Sequence, residues 1–255
     1  MSVNLNRLVG RIAIVTASTD GIGFAIAQRL AREGAKVIVS SRKEKNVAEA
    51  TKKLTSEGLN VSGLVCHVGK KEDRQKLFEE AKKLGGLDIL VSNAAVNPEV
   101  GFVLDCPESS WDKIFDTNVK ASFMLAKEAL PLLRESKAGR IIFVSSIAGF
   151  QPFSLLGAYS VSKTSLLGLV KAAAVQLAPE NITVNSICPG IIETKFSNFL
   201  TKDEGAKEAG LSQIPMGRFG KPHDVSGSAA FLASDDGSYV TGENIVVAGG
   251  MQSRL

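Results

Sequence analysis

Cysteine, histidine and long apolar runs are all scarce in this sequence of 255 residues. Its three cysteines (Cys66, Cys106 and Cys188) lack C-x-x-C spacing, and the two histidines complete no metal-binding pattern with them. Three thiols without paired spacing favour a reducing compartment. No run of eighteen apolar residues occurs, so the sequence predicts no membrane span. These absences favour a globular protein without a metal centre.

Charged residues are frequent, but the two signs are mixed. The 30 lysines and arginines stand against 26 aspartates and glutamates, which gives a net charge of +4, and the basic residues are scattered among the acidic ones. A scattered balance of this kind does not indicate nucleic-acid binding. A small ligand that carries phosphate remains compatible with it.

Apolar runs alternate with helical patterns along the whole chain. The run "RIAIVT" (11–16) is followed by apolar residues at helical spacing, and "KVIVSS" (36–41) begins the next unit. Repeated units with fully apolar strands predict a parallel sheet covered by helices on both faces. We therefore expect a single Rossmann-like, doubly wound α/β domain over residues 1–255, with about seven strands. Ligands of such sheets bind beyond the carboxyl ends of the strands, so the residues that follow each strand are candidates for a site.

A turn with two glycines, "TASTDGIG" (16–23), follows the first strand. Gly21 and Gly23 lie where the strand gives way to a helix, and the backbone amides at a helix start can face a pyrophosphate. A lone G-x-G can also be a simple tight turn. Its place after the first strand of a β-α-β unit favours a dinucleotide site.

Basic residues follow the second strand in "SSRK" (40–43). An NAD site usually has an Asp or Glu here that accepts from the ribose 2′-hydroxyl, whereas this sequence has Ser41 followed by Arg42. A guanidinium can bind a 2′-phosphate through two parallel hydrogen bonds. The alternative is a solvated basic helix start, which is unfavourable because cations there oppose the helix dipole. The segment therefore predicts NADP(H) as the cofactor.

A tyrosine and a lysine lie four residues apart in "AYSVSK" (158–163). Residues i and i+4 share one face of a helix, so Tyr159 and Lys163 would point the same way. A cation within about 4–6 Å favours the phenolate, so we expect Lys163 to lower the pKa of Tyr159 below its ordinary value of about 10. The phenol would then exchange protons near neutral pH. Taken alone, the pair could equally lie on a solvated helix face.

Further motifs accompany that pair: "TASTDGIG", "SNAA" (92–95), "DTNV" (116–119), "VSS" (144–146), "YSVSK" and "CPG" (188–190). In order and spacing they resemble the short-chain dehydrogenase/reductase family, over essentially all 255 residues. The resemblance implies that Tyr159 is the general acid/base and Lys163 its electrostatic partner. It further implies that Ser146 binds the carbonyl oxygen of the substrate and that Asn118 holds a proton-relay water.

The resemblance also implies a set of cofactor-binding residues. Asn93 would brace the central strands beside the cofactor, and Thr194 would bind the nicotinamide carboxamide. Three positions depart from the family pattern, because Ala17 and Ala95 replace glycines and His67 stands where an acidic residue is frequent near the adenine. The predicted cofactor-binding set is Thr16, Ser18, Gly21, Ile22, Gly23, Ser41, Arg42, Lys43, Asn93, Tyr159, Lys163, Pro189, Gly190, Ile192 and Thr194.

The segments beside the expected reacting carbon are apolar: "IAGFQPFSLLGA" (147–158) and "KFSNFL" (195–200). They predict an apolar substrate, and aromatic ketones, α-dicarbonyls, retinoids and keto-steroids all fit. The expected activity is NADPH-dependent reduction of such a ketone or aldehyde. Reduction of a 3-oxoacyl thioester, oxidation of an alcohol, and a non-catalytic role as a cofactor-binding scaffold stay open. The predicted substrate pocket consists of Ser146, Phe150, Phe153, Leu156 and Phe196.

The last three residues are Ser253, Arg254 and Leu255. They resemble the Ser-Lys-Leu address of peroxisomal proteins, with arginine in place of lysine. We therefore expect recognition by a peroxisomal import receptor, with a cytoplasmic location as the alternative. The family resemblance also implies a homotetramer that packs through the long helix predicted at 110–136 and the helix that carries Tyr159.

Overall fold

Seven parallel strands form one sheet in the computed structural model, which describes residues 6–197 and 204–253. The strand order is β3-β2-β1-β4-β5-β6-β7, and each neighbouring pair is parallel. This order confirms the predicted doubly wound, Rossmann-like sheet. The strands are β1 (Ile12–Val15), β2 (Lys36–Ser41), β3 (Val61–Val65), β4 (Ile89–Ser92), β5 (Arg140–Val144), β6 (Thr183–Pro189) and β7 (Asn244–Val247).

Helices follow the strands and cover both faces of the sheet, as the apolar pattern predicts. One predicted long helix is interrupted, because Asp116–Lys120 forms a π-helical segment between α4 and α5. Within the described residues, no helix is both long and apolar enough to cross a membrane. The helices are α1 (Gly21–Arg32), α2 (Glu44–Ser56), α3 (Lys71–Leu84), α4 (Glu108–Phe115), α5 (Ala121–Glu135), α6 (Gly157–Leu177), α7 (Glu204–Ser212) and α8 (Pro222–Ala233).

The sheet divides the core into two apolar layers. Along β1, Ala13 and Val15 belong to the layer beneath α1, α2 and α8, whereas Ile14 belongs to the layer beneath α3, α5 and α6. Successive side chains of a strand point to opposite faces, so a strand buried on both sides must be apolar throughout. Each fully buried side chain of the size of Ile14 stabilises the fold by roughly 1.5–3 kcal/mol.

The site lies at the point where the strand order reverses. β1 pairs with β2 on one side and with β4 on the other, so the loops that leave β1 and β4 separate there. The reversal opens a crevice beyond the carboxyl ends of these strands, which is where open α/β sheets bind ligands. Both loops are joined directly, since the Asn93 side-chain amide donates to the Thr16 carbonyl oxygen at 3.0 Å.

Candidate active site

A cavity of about 540 Å³ lies beyond the carboxyl ends of β1, β4, β5 and β6. Most of the residues predicted for cofactor, catalysis and substrate line it together. Thr16, Ser18, Ser41, Lys43, Asn118 and Phe150 do not line it. The predicted residues that do are Gly21, Ile22, Gly23, Arg42, Asn93, Ser146, Phe153, Leu156, Tyr159, Lys163, Pro189, Gly190, Ile192, Thr194 and Phe196.

Both glycines of the turn between β1 and α1 have a structural reason to be glycine. Gly21 has a φ of +56°, in the left-handed region that favours glycine. A Cβ on Gly23 would collide with the side-chain nitrogen of Asn93 and lie 2.5 Å from the Ala17 carbonyl oxygen. Ala17 itself has a φ of +49°, so its methyl group is held in the left-handed region. The turn expected from the family pattern is therefore kept, at the cost of local strain.

Ser18 and Thr16, which were predicted to bind the cofactor, instead form buried hydrogen bonds that support this turn. Ser18 is fully buried, where its Oγ donates to the Val15 carbonyl oxygen at 2.6 Å and accepts from the Ser40 amide at 3.0 Å. Thr16 is also fully buried, and its Oγ1 accepts from the Asn93 amide at 3.0 Å. Both residues position the glycine turn and do not line the cavity.

Arg42 follows β2 and lines both the main cavity and a neighbouring one of about 110 Å³. No carboxylate of the described residues forms an ion pair with it, so its guanidinium is available to an anion. Ser41 lines only the smaller cavity, and Lys43 precedes α2 without lining either. His67, which was not among the predicted site residues, also lines the smaller cavity, and its Nδ1 accepts from the Gly69 amide at 3.1 Å.

Close packing of α6 against the loop after β5 brings Ser146, Tyr159 and Lys163 together. A Cβ on Gly149 would lie 2.9 Å from the Lys163 carbonyl group, so only glycine allows this approach. Ser145 Oγ also donates to the Lys163 carbonyl oxygen at 2.9 Å. Tyr159 is 8% exposed and Lys163 is 2% exposed, and both line the same cavity as Ser146.

The electrostatics of the pair differ from the sequence-based prediction. Burial raises the pKa of Tyr159 above its ordinary value, and the nearby Ser146 hydroxyl offsets only part of this. Burial likewise lowers the pKa of Lys163 to about 8. The prediction that Lys163 lowers the pKa of Tyr159 is therefore wrong in direction. The physical reason is desolvation, which disfavours both charged forms, and Lys163 Nζ lies 5.5 Å from the centroid of the phenol ring.

Lys163 Nζ donates to the Val144 carbonyl oxygen at 2.8 Å. No described carboxylate lies within ion-pair distance of it, so this ammonium group is buried without a counter-ion. An ammonium has three protons to donate, and two of them remain for other partners. A buried cation with free donors is costly unless a ligand uses it, which makes the site a candidate for function.

Asn118 lies in the π-helical segment and is fully buried behind the cavity. Its side chain accepts from the Val96 amide at 2.8 Å and donates to the Val96 carbonyl oxygen and to Ser162 Oγ, both at 3.0 Å. Ser162 in turn donates to the Tyr159 carbonyl oxygen at 2.6 Å. Asn118 therefore ties the loop after β4 to the helix that carries Tyr159.

The far end of the cavity is apolar. Phe153 and Leu156 line it, and the ring of Phe196 lies 5.6 Å from the ring of Tyr159 between centroids. Phe150 follows the 3-10 turn Ile147–Gly149 and does not reach the cavity, contrary to the prediction. Ile191 completes the lining from the loop after β6.

Sequence reasoning missed two charged residues of the cavity, Asp20 and Lys195. Asp20 immediately precedes α1, and an aspartate before a helical pattern is a readable capping signal. Lys195 has no such signal, because only the tertiary fold brings it to the same wall. In the part of the chain that the structure describes, no group of three histidine, cysteine or acidic side chains is placed to bind a metal ion.

Comparisons with known proteins agree with this geometry. The family model described as "Enoyl-(Acyl carrier protein) reductase" matches residues 16–252. Dehydrogenase/reductase SDR family member 4 of Bos taurus is 53% identical over 251 residues, which are 98% of this chain and 90% of that protein. Its Homo sapiens counterpart is 52% identical, over 97% of this chain and 90% of that one. Tropinone reductase-like 3 of Erythroxylum coca is 48% identical, over 98% and 96%.

Solved structures with the same fold include two bacterial proteins. One is described as a gluconate dehydrogenase of Agrobacterium tumefaciens, with a TM-score of 0.94 and 28% identity, covering 98% of this chain and 99% of the other. The second is described as an NAD(P)-dependent gluconate 5-dehydrogenase of Beutenbergia cavernae, with a TM-score of 0.90 and 31% identity, covering 96% and 98%. The Beutenbergia structure holds NADP at low occupancy.

Proposed function

The chain belongs to the short-chain dehydrogenase/reductase family of NAD(P)-dependent oxidoreductases, and from that premise we propose that it reduces apolar ketones and aldehydes with NADPH. The observation that carries the proposal is one cavity lined both by Ser146 and the buried Tyr159 and Lys163 and by aromatic and aliphatic side chains. The cavity therefore combines polar groups that can act on a carbonyl oxygen with a pocket that suits the apolar part of a substrate.

The residues present fit a nicotinamide dinucleotide. Gly21, Ile22 and Gly23 line the cavity at the start of α1, where backbone amides can face a pyrophosphate. Gly21–Gly23 would hold the pyrophosphate, and Pro189, Gly190, Ile192 and Thr194 would hold the nicotinamide end. When bound, the reduced cofactor supplies the hydride, and the protein supplies binding, orientation and electrostatics.

NADP(H) is the proposed form of the cofactor because of Arg42. This guanidinium lines the cavity without an ion pair to any described carboxylate, and it could bind a 2′-phosphate with two hydrogen bonds. An acidic side chain at this position would repel the same phosphate. The NADP found in the Beutenbergia relative supports the assignment.

Tyr159 is the proposed proton donor. Its phenol is protonated at neutral pH, so it can donate to an oxygen on which negative charge develops; burial raises its pKa and makes it a weaker acid, so the phenolate that forms needs a stabilising cation. The Ser146 hydroxyl would donate to the same oxygen, so two donors would stabilise the growing charge. Lys163 would hold the cofactor ribose through its two remaining protons and would stabilise the phenolate once Tyr159 has given up its proton.

The substrate class follows from the apolar end of the cavity. Phe153, Leu156 and Phe196 would contact the body of the substrate, while its carbonyl faces Ser146 and Tyr159. Aromatic ketones, α-dicarbonyls and retinal-like aldehydes have this combination of a flat apolar body and a reactive carbonyl. A second candidate is reduction of a 3-oxoacyl or enoyl thioester, and the description of the matching family model as an enoyl reductase supports a substrate of this class.

The test is a spectrophotometric panel of NADPH and NADH oxidation with aromatic ketones, α-dicarbonyls, retinal and 3-oxoacyl and enoyl thioesters. We expect turnover with the first three classes and a preference for NADPH. Thioester turnover alone would replace the proposed substrate class with the second candidate. Absence of NADPH oxidation with every compound would instead support a cofactor-binding protein without catalytic activity.

Location and assembly complete the proposal. The terminal Ser253-Arg254-Leu255 supports import into peroxisomes, although Arg254 and Leu255 lie outside the described residues. A fluorescent fusion with its tag at the amino end should be punctate, and deletion of residues 253–255 should make it diffuse.

Exposed apolar side chains on α5 and α6, such as Phe123 at 44% and Val175 at 80%, support a homotetramer. Light scattering after size-exclusion chromatography should give four times 26.9 kDa.

A further inference from the structure

An ion pair crosses the mouth of the cavity. Lys195 Nζ lies 2.7 Å from Asp20 Oδ2, although the two residues belong to loops that are far apart in the sequence. Asp20 precedes α1 at the carboxyl end of β1, and Lys195 follows β6. The chain therefore closes a bridge over the start of α1, the place proposed above for the pyrophosphate.

Asp20 stabilises the start of α1, but its negative charge opposes the binding of an anionic ligand. Its Oδ1 accepts from the Gly21 amide at 2.8 Å, and an aspartate at this position both caps a helix and suits its dipole. The same carboxylate also lines the cavity, and it is the one acidic side chain among the described lining residues. An uncompensated negative charge there would repel a pyrophosphate.

Lys195 neutralises that charge. The contact raises the pKa of Lys195 and lowers the pKa of Asp20, so both groups are ionised at neutral pH. Nearby charges on α2 also act on the pair, since Lys53 favours the charged form of Asp20 and Glu49 favours that of Lys195. Because these two have opposite signs, their charges partly cancel around the pair.

We propose that Lys195 is a cofactor-positioning residue that acts by cancelling the charge of Asp20. With its charge cancelled, Asp20 can cap α1 without repelling the pyrophosphate of NADP(H). The loop after β6 also lies against the turn, since a Cβ on Gly21 would lie 3.2 Å from the Cγ2 of Thr194, the neighbour of Lys195. The inference rests on the proposed function, since it concerns the same cofactor.

The experiment is a double-mutant cycle on NADPH affinity, measured by calorimetry at low salt. Lys195→Met leaves Asp20 unpaired, so we expect the dissociation constant to rise about three- to tenfold, as for a like charge several ångströms away in partly solvated surroundings. Asp20→Asn keeps an oxygen for capping, removes the negative charge, and should tighten binding a few-fold. The double variant should return close to the wild-type value.

The control is Lys171→Met, which breaks an exposed ion pair with Glu243 at 3.5 Å away from the cavity and changes the net charge equally. Its NADPH affinity should stay within twofold of wild type. For all variants, thermal unfolding should match wild type, since Asp20 and Lys195 are 59% and 87% exposed. At 0.5 M salt the difference between wild type and Lys195→Met should shrink, because exposed charges are screened.

Two results would overturn the inference while leaving the proposed function intact. One is an NADPH affinity of Lys195→Met within twofold of wild type. The other is an equal weakening of NADPH binding in Lys195→Met and in the double variant. That result would mean that Lys195 binds the cofactor independently of Asp20. A wild-type protein that binds neither NADPH nor NADH would refute the proposed function, and this inference with it.

Discussion

Replacement of Lys163 by methionine should stabilise the protein and abolish its activity. The side chain is 2% exposed, and its ammonium group has a carbonyl oxygen, but no described carboxylate, as partner. Burial lowers its pKa from 10.5 to about 8. Since a shift of one pKa unit corresponds to about 1.4 kcal/mol, burial disfavours the charged form of Lys163 by about 3 kcal/mol relative to the unfolded state.

Methionine fills nearly the same space without the charge. The variant loses the 2.8 Å hydrogen bond to the Val144 carbonyl oxygen, which leaves that buried oxygen without this donor and costs about 1–2 kcal/mol. The net gain at pH 7 is therefore about 1–2 kcal/mol. For a chain of this size that corresponds to a rise of about 2–8 °C in Tm.

The sign of the pH dependence follows from the lowered pKa. Between pH 8 and 10.5 the unfolded lysine keeps its proton whereas the folded one has lost it, so wild-type stability rises with pH through this window. Below pH 8 the full penalty of the buried charge is present. The advantage of Lys163→Met should therefore be largest at pH 7 and should vanish or reverse near pH 10.

The assay is thermal unfolding of wild type, Lys163→Met and Lys171→Met without cofactor at pH 7, 8.5 and 10. Lys171 lies on the same helix but is 61% exposed, so its replacement should change Tm little at any pH. NADPH oxidation by Lys163→Met should fall by at least a hundredfold, while Lys171→Met stays active. A Lys163→Met protein that is less stable at pH 7, or whose difference from wild type is independent of pH, would refute the reasoning.

Three further predictions concern the turn, the cofactor and the substrate. Ala17→Gly should raise the free energy of unfolding by about 0.5–1 kcal/mol because φ is +49° at this position. Ala95 has no positive φ, so Ala95→Gly should lower that free energy, and chemical denaturation measures both changes. Arg42→Ala should weaken NADPH binding about 10–100-fold and leave NADH binding nearly unchanged, with exposed Lys45→Ala as control, and equal loss for both cofactors would contradict the assignment. Phe196→Ala should raise KM for aromatic ketones about fivefold with a smaller change in kcat, and an unchanged KM would remove Phe196 from the pocket.

The strands could be predicted from the sequence because burial on both faces leaves a long apolar run. The run at 36–41 coincides with β2. The sequence "VSGLVCHV" (61–68) reads as a strand longer than β3, which ends at Val65. The chain turns after Val65, where the His67 amide donates to Asp73. A local pattern shows that a strand exists, but its end depends on such longer-range contacts.

Tertiary contacts also explain what sequence reasoning could not supply at the site. The helical pattern runs unbroken through residue 118, yet a π-helical segment forms there while the Asn118 side chain binds Val96 and Ser162. The spacing of Tyr159 and Lys163 gave their proximity correctly but carried no information on how completely both are buried, and burial decides the direction of their pKa values. The Asp20–Lys195 contact joins residues too distant in sequence for any local signal.

The central claim is that Tyr159 donates a proton to a carbonyl that is reduced beside it, and transfer of deuterium from NADPH labelled at the reactive C4 position tests it most directly. Mass spectrometry of the alcohol formed from an aromatic ketone should show one deuterium on the former carbonyl carbon with wild type and with Tyr239→Phe, the variant of the other, fully exposed tyrosine. Tyr159→Phe should bind NADPH as wild type does and form almost no labelled alcohol. Labelled alcohol from Tyr159→Phe at the wild-type rate, or none from wild type with any ketone, would contradict the account.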